Sequence, residues 1–148
     1  RASTYICPPT AAAAALAVQQ VIERDRLLEQ VQQQGAYLQQ ALHDVLGGLP
    51  YVGDTRGRGL FAGVELVCDK ERKTAFDPLL KLHAAIKAQC MGYGLLVYPM
   101  GGTIDGQRGD HILIAPPFIV SRSELDFVVD TLHKVISEET HKLMRRQP

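Results

Sequence analysis

The hydrophobic period of this chain first changes, abruptly, at Gly47-Gly48-Leu49-Pro50. Before that point apolar residues recur at helical spacing. Ala13, Leu16, Ala17 and Val21 predict a helix from about Pro9 to Arg24, with Pro9 in the first turn where its missing N–H costs nothing. Leu27, Leu28, Val31, Leu38, Ala41, Leu42, Val45 and Leu46 predict a second helix beginning near Asp25, which suits an N-cap. Two glycines and a proline close it. Beyond them the pattern shortens to β-formers. Tyr51–Arg56 and Leu60–Val67 read as adjacent strands, with Gly57 and Gly59 in the joining turn. Asp77-Pro78 opens a third helix carrying Leu79, Leu82, His83, Ile86 and Cys90 on one side. Leu95–Tyr98 is a strand stopped by Pro99, and His111–Ile114 another stopped by Pro116-Pro117. Ser121 and Glu124 form a capping box ahead of Leu125, Val128, Val129, Leu132, Val135 and Ile136. The order α-α-β-β-α-β-β-α predicts an α+β fold, with an antiparallel or mixed sheet covered by helices. It lacks the strict alternation of a doubly wound sheet.

Composition bounds the function classes. The chain has 148 residues, 46% hydrophobic and 22% charged, with 16 basic and 16 acidic side chains. That is enough to bury one core and too apolar for disorder. With no basic excess there is no support for a nucleic-acid or anionic-membrane partner, and no net charge to oppose self-association. The apolar run Ala11–Val18 is far shorter than the ~20 residues a membrane helix needs. It follows Pro8-Pro9 and continues at helical period, so it reads as a helix rather than a secretory leader. Cys7, Cys68 and Cys90 are odd in number and scattered, which suits reduced thiols in a cytoplasmic protein and provides no metal site. The start at Arg1 reads as a piece of a longer polypeptide.

The search for chemistry returns mostly negatives. Gly57, Gly59 and Gly63 superficially suggest a dinucleotide fingerprint, but they open a β-rich run and not a helix. The five histidines form no ligand-spaced cluster; His111, beside Asp110, is the least ordinary. A Schiff-base lysine must be desolvated. Lys70 and Lys73 lie in a charged loop, and Lys81, Lys87, Lys134 and Lys142 lie among polar helical neighbours, so no catalytic residue is assigned. Two stretches remain. Ser3-Thr4-Tyr5, just ahead of a helix start, has hydroxyls suited equally to a phosphate or to a plain capping turn. The loop between Tyr98 and Asp110 contains four glycines and ends near Arg108, whose planar fork suits a carboxylate.

Together these segments resemble the C-terminal part of class III aminotransferases, and look closest to the ω-amino acid:pyruvate transaminases. The similarity runs through the whole chain in register. It rests on Thr4-Tyr5 with Pro9 and the alanine-rich helix, and on Ile22-Glu23-Arg24-Asp25 with Leu27-Leu28. It continues through Val52–Leu60 with Gly63-Val64-Glu65-Leu66, Phe76-Asp77-Pro78, Gly94–Val97, and Gly109-Asp110-His111 with Ala115-Pro116-Pro117. The resemblance implies a fold-type I, pyridoxal 5′-phosphate-dependent enzyme working as a homodimer on an amino donor and a keto acid. Residues 1–25 would be a tail and connecting helix from the large domain, and 26–148 the small C-terminal domain. The family's covalent lysine and the acidic partner of the pyridine nitrogen would lie upstream of Arg1, leaving this segment inactive alone. Thr4, with Ser3 beside it, would hold the cofactor phosphate across the dimer interface.

Three departures matter. Pro8 stands where the family usually has His or a similar residue. Many relatives carry a carboxylate-binding arginine where this chain has Leu113, and others carry one at the position of Tyr98. Tyr98 is therefore read as a substrate-side residue and Arg108 as the carboxylate clamp. The alternative is a non-catalytic α+β interaction or dimerisation module, and the reading frame upstream of Arg1 separates the two.

Overall fold

The computed structural model describes residues 8–145. Its elements are α1 (Pro9–Arg24), α2 (Leu27–Leu46), β1 (Val52–Arg58), β2 (Phe61–Leu66), α3 (Leu82–Gly92), β3 (Tyr98–Gly101), β4 (Asp110–Ile114) and α4 (Arg122–Met144). The α+β class and element order are as expected. The strands form one antiparallel sheet in the order β1-β2-β4-β3.

Strand alternation decides which face of the sheet is covered. Ala62, Val64 and Leu66 of β2 and Ile112 and Ile114 of β4 point inward. They meet Leu38, Leu42 and Leu46 of α2, Leu82 and Ile86 of α3, and Leu125, Leu132 and Ile136 of α4. Each valine, leucine or isoleucine among them contributes about 1.5–3 kcal/mol when withdrawn from water. Cys90 joins this core, and burial pushes its thiol up to about 11, which makes it an inert packing residue. The predicted capping box is present: the Ser121 hydroxyl accepts from the Glu124 N–H, and the Glu124 carboxylate accepts from the Ser121 N–H at 2.7 Å. Helix α1 buries none of its residues. Among the described residues no helix is long and apolar enough to cross a membrane.

Four local expectations are corrected. Asp25 does not cap α2: it ends α1, held by the Arg24 guanidinium at 2.7 Å, and the N-cap of α2 is Arg26 in a left-handed conformation (φ +48°). Gly57 lies within β1, so the turn is Gly59-Leu60 alone, between paired Arg58 and Phe61; Gly59 supplies the positive φ (+54°). Asp77 caps only a 3₁₀ turn, Pro78–Leu80, and α3 starts at Leu82. The third strand begins at Tyr98, where the sequence reading ends it, and it contains Pro99. Proline is tolerated there because β3 is an edge strand, bonded on one side only.

Candidate functional site

The second face of the sheet has no helix over it among the described residues, and its side chains define the candidate site. A β-bulge between Val52 and Asp54 shifts the register of β1, so Val52 points into the core while Asp54 and Arg56 point out. Arg56 faces Gly63, which faces Leu113, which faces Tyr98; Asp54 faces Glu65, then His111, then Met100. Because Gly63 has no side chain, this row leaves a trough. It is a concavity of about 350 Å³ lined by Arg56, Glu65, His111, Leu113 and, from the β3–β4 loop, Thr103 and Ile104.

Charge in the trough is largely internally matched. The Arg56 guanidinium donates to Asp54 at 2.6 Å and to Glu65 at 3.3 Å. The hydrogen bond from Arg56 holds the Asp54 carboxyl below its usual range. His111 sits on the same face with Nδ1 buried and without a hydrogen-bond partner. Burial lowers its pKa, and nearby Arg56 lowers it further, against weaker opposing pulls from Asp110 and Glu65. A histidine whose folded pKa is depressed stabilises the fold above its unfolded pKa, near 6.5, and that stability is lost as pH falls through the folded value. His111 is therefore expected to be neutral at pH 7 and to titrate below 6.5 when its ring proton shifts are followed by NMR. A midpoint at or above 6.5 would contradict this.

Arg108 lies on the β3–β4 loop, which is organised by its own hydrogen bonds. Ile104 N–H donates to Arg108 C=O and Gly106 N–H to Gly102 C=O, both at 2.9 Å. The Asp105 carboxylate accepts from the Gln107 N–H (3.0 Å), the Arg108 N–H (2.7 Å) and Arg108 Nε (2.7 Å). These donors hold the Asp105 carboxyl down at about 2. The side-chain contact uses Nε, and the two terminal nitrogens carry the remaining four of the five guanidinium donors. Arg108 is exposed. Tyr98 is also exposed, but at the other end of the hairpin. It pairs with Leu113, whereas the loop springs from Gly101 and Asp110, three extended residues or about 10 Å away. Neither residue is among those lining the trough.

At the root of the loop stands a pair that the sequence did not suggest. Asp110 is buried, and its Oδ1 accepts from His83 Nδ1 at 2.7 Å and from the His83 backbone N–H at 3.2 Å, in the first turn of α3. The histidine adjacent in sequence, His111, points to the opposite face. Asp54, Arg56 and Glu65 were likewise missed as site residues. Their signal was present as charge on β-formers facing a glycine, but its meaning depended on the bulge.

Ser3 and Thr4 lie outside the described residues. All six lysines are exposed, so none has the desolvated environment that a covalent cofactor anchor requires. Lys70 instead finishes α2, donating to Gly47 C=O at 2.5 Å and Leu49 C=O at 3.4 Å. Among the described residues no cluster of His, Cys, Asp or Glu is suited to a metal ion.

A helix-backed antiparallel sheet with a charged open face and a hydrogen-bonded arginine loop defines this as an α+β domain. The class-III aminotransferase family model matches residues 1–136. The chain belongs to that family, which is pyridoxal-phosphate-dependent. It is 46% identical over 134 residues to an uncharacterized aminotransferase of Schizosaccharomyces pombe, covering 90% of this chain and 29% of that protein. It is 35% identical over 121 residues to the taurine–pyruvate aminotransferase of Rhodobacter capsulatus, covering 81% and 26%. A structure from the directed evolution of transaminases by ancestral reconstruction superimposes with a TM-score of 0.87 at 36% identity, covering 96% of this chain and 30% of that one. The PMP-bound aminotransferase of Vibrio fluvialis superimposes at 0.80 with 28% identity, covering 90% and 27%. The chain thus spans under a third of the length of these relatives.

Proposed function

We propose that this chain is the smaller, C-terminal domain of a longer cytoplasmic aminotransferase that acts as a homodimer. In this reading residues 1–25 connect it to a large domain and 26–148 form the small domain. The reaction moves an amino group from an amine or ω-amino acid to a keto acid such as pyruvate. Pyridoxal phosphate supplies the electron sink; this chain's residues bind and orient. Ser3 and Thr4 take the cofactor phosphate, and Tyr98 borders the substrate. The observation that carries the reading is the Arg108 loop. An exposed guanidinium, ordered by Asp105 yet with its terminal nitrogens available, is the carboxylate receptor for a keto acid where Leu113 and Tyr98 provide none. The taurine–pyruvate relative supports the ω-amino donor and the pyruvate acceptor.

The test is Arg108→Ala in the full-length protein. Losing a charge-assisted pair is expected to raise KM for the keto acid about tenfold and to leave KM for an uncharged amine donor nearly unchanged. Equal effects on both would sink the assignment.

A further inference from the structure

We propose that His83 is a positioning residue for Arg108, holding the root of the β3–β4 loop through Asp110. The inference rests on the reading of Arg108 as the keto-acid receptor. Both stems of the loop meet at the paired residues Gly101 and Asp110, and His83 touches both. Its ring lies so close to Gly101 that a Cβ there would come within 2.6 Å of Nδ1 and Cε1. Its Nδ1 hydrogen-bonds Asp110 Oδ1 at 2.7 Å. An ionised carboxylate can only accept, so Nδ1 carries the proton, and the bond fixes the tautomer as well as the ring.

The surrounding backbone explains why such a clip is needed. Gly102 (φ +80°) and Gly109 (φ +93°) flank the loop, and glycine is the residue type least able to resist rotation. Between those hinges the loop is tied to itself, by Ile104 to Arg108, Gly106 to Gly102, and Asp105 to Gln107 and Arg108. It therefore moves as a unit, and any freedom at the stems is carried to Arg108, two residues from Asp110. The Asp110 side chain is only 5% exposed and His83 34%, so their bond is partly shielded from water, whereas the loop's own contacts are exposed. Displacing a binding group by about 1 Å is enough to cost up to ~100-fold in rate. His83 thus governs where the receptor stands without touching substrate.

The experiment is a double-mutant cycle in the full-length protein, with keto-acid KM, amine-donor KM and kcat measured for each variant. His83→Ala is expected to raise keto-acid KM by roughly three- to tenfold while amine-donor KM holds. His83→Asn, whose amide nitrogen stands near the position of Nδ1, is expected to restore most of the loss. In the Arg108→Ala background, His83→Ala is expected to add almost nothing, because its effect passes through Arg108. If Arg108→Ala leaves keto-acid KM unchanged, the receptor reading and the positioning role fall together. If Arg108→Ala has its effect but His83→Ala has none, acts additively, or raises both KM values alike, the positioning role alone is overturned.

Discussion

Replacing Gly35 by leucine is expected to destabilise the protein by about 3 kcal/mol, the upper range for forcing bulk into a filled space. Helix propensity predicts the opposite sign, since leucine in place of a mid-helix glycine gains roughly 0.8 kcal/mol. Contact geometry decides between them. Gly35 sits in the middle of α2, and a Cβ there would lie 2.5 Å from the Gly59 carbonyl carbon at the tip of the β1–β2 hairpin. The obstacle is backbone, so it cannot step aside as a flexible side chain would. Gly59 is constrained in turn by its positive φ and by Val31, whose Cγ1 would stand 3.0 Å from a Cβ at that position. Chemical denaturation should show a lowered midpoint, and amide exchange should be faster in β1 and β2 than in α4. An unchanged midpoint would mean that α2 can withdraw from the hairpin without cost.

Asp110→Ala is expected to cost a similar amount, about 3 kcal/mol, for a different reason. The substitution removes little apolar surface but leaves two donors of His83, the backbone N–H and the ring N–H, without their acceptor. Hydrogen bonds to a charged group are worth roughly 1.5–3 kcal/mol, and here two are lost at once from a partly buried histidine. The loss should be local first: amide exchange at His83 is expected to accelerate about a hundredfold, the equivalent of some 2.7 kcal/mol. Asp110→Asn retains one acceptor oxygen and should recover part of the loss. Unchanged protection at His83 in the alanine variant would show that water replaces the carboxylate at no cost.

The two predictions separate what was legible in the sequence from what was not. Helix α1 agrees with its predicted limits, because a proline start and a continuous apolar period are local signals. The α4 capping box was legible for the same reason: both partners lie within one turn. The α2 start was not legible. Asp25 is a good cap by residue type, but the neighbouring Arg24 takes its carboxylate, and the chain turns through a left-handed Arg26 instead. The placement of β3 was not legible either. Leu95 is buried, but Leu96 is 81% exposed and neither belongs to the sheet. A strand exists where a partner does, and β4 offers pairing only from Tyr98 onward.

The β3–β4 loop and Arg108 are visible in the sequence as a glycine-rich connection bearing one guanidinium fork. The loop's actual order is not, because the Asp105 contacts depend on a turn geometry that residue types merely permit. All six lysines are exposed; Lys81, although flanked by Leu80 and Leu82, stands outside the helices in a left-handed turn between the 3₁₀ turn and α3.

The sequence by itself determined the switch from helical to strand period at Gly47–Pro50 and the order of the elements. These follow from spacing along the chain. Only the tertiary structure decided which charges share a surface. The bulge beside Gly53 turns Asp54 and Arg56 outward, although simple alternation would place them inward with Val52. Antiparallel pairing then sets Arg56 across Gly63 from Leu113. Alternation along β4 sends His111 to that open face and Asp110 to the buried one, where its partner is His83, 27 positions away. Side-chain direction in a strand has a period of two, so one inserted residue exchanges inside for outside. That exchange is settled by pairing with a distant segment and not by the residues themselves.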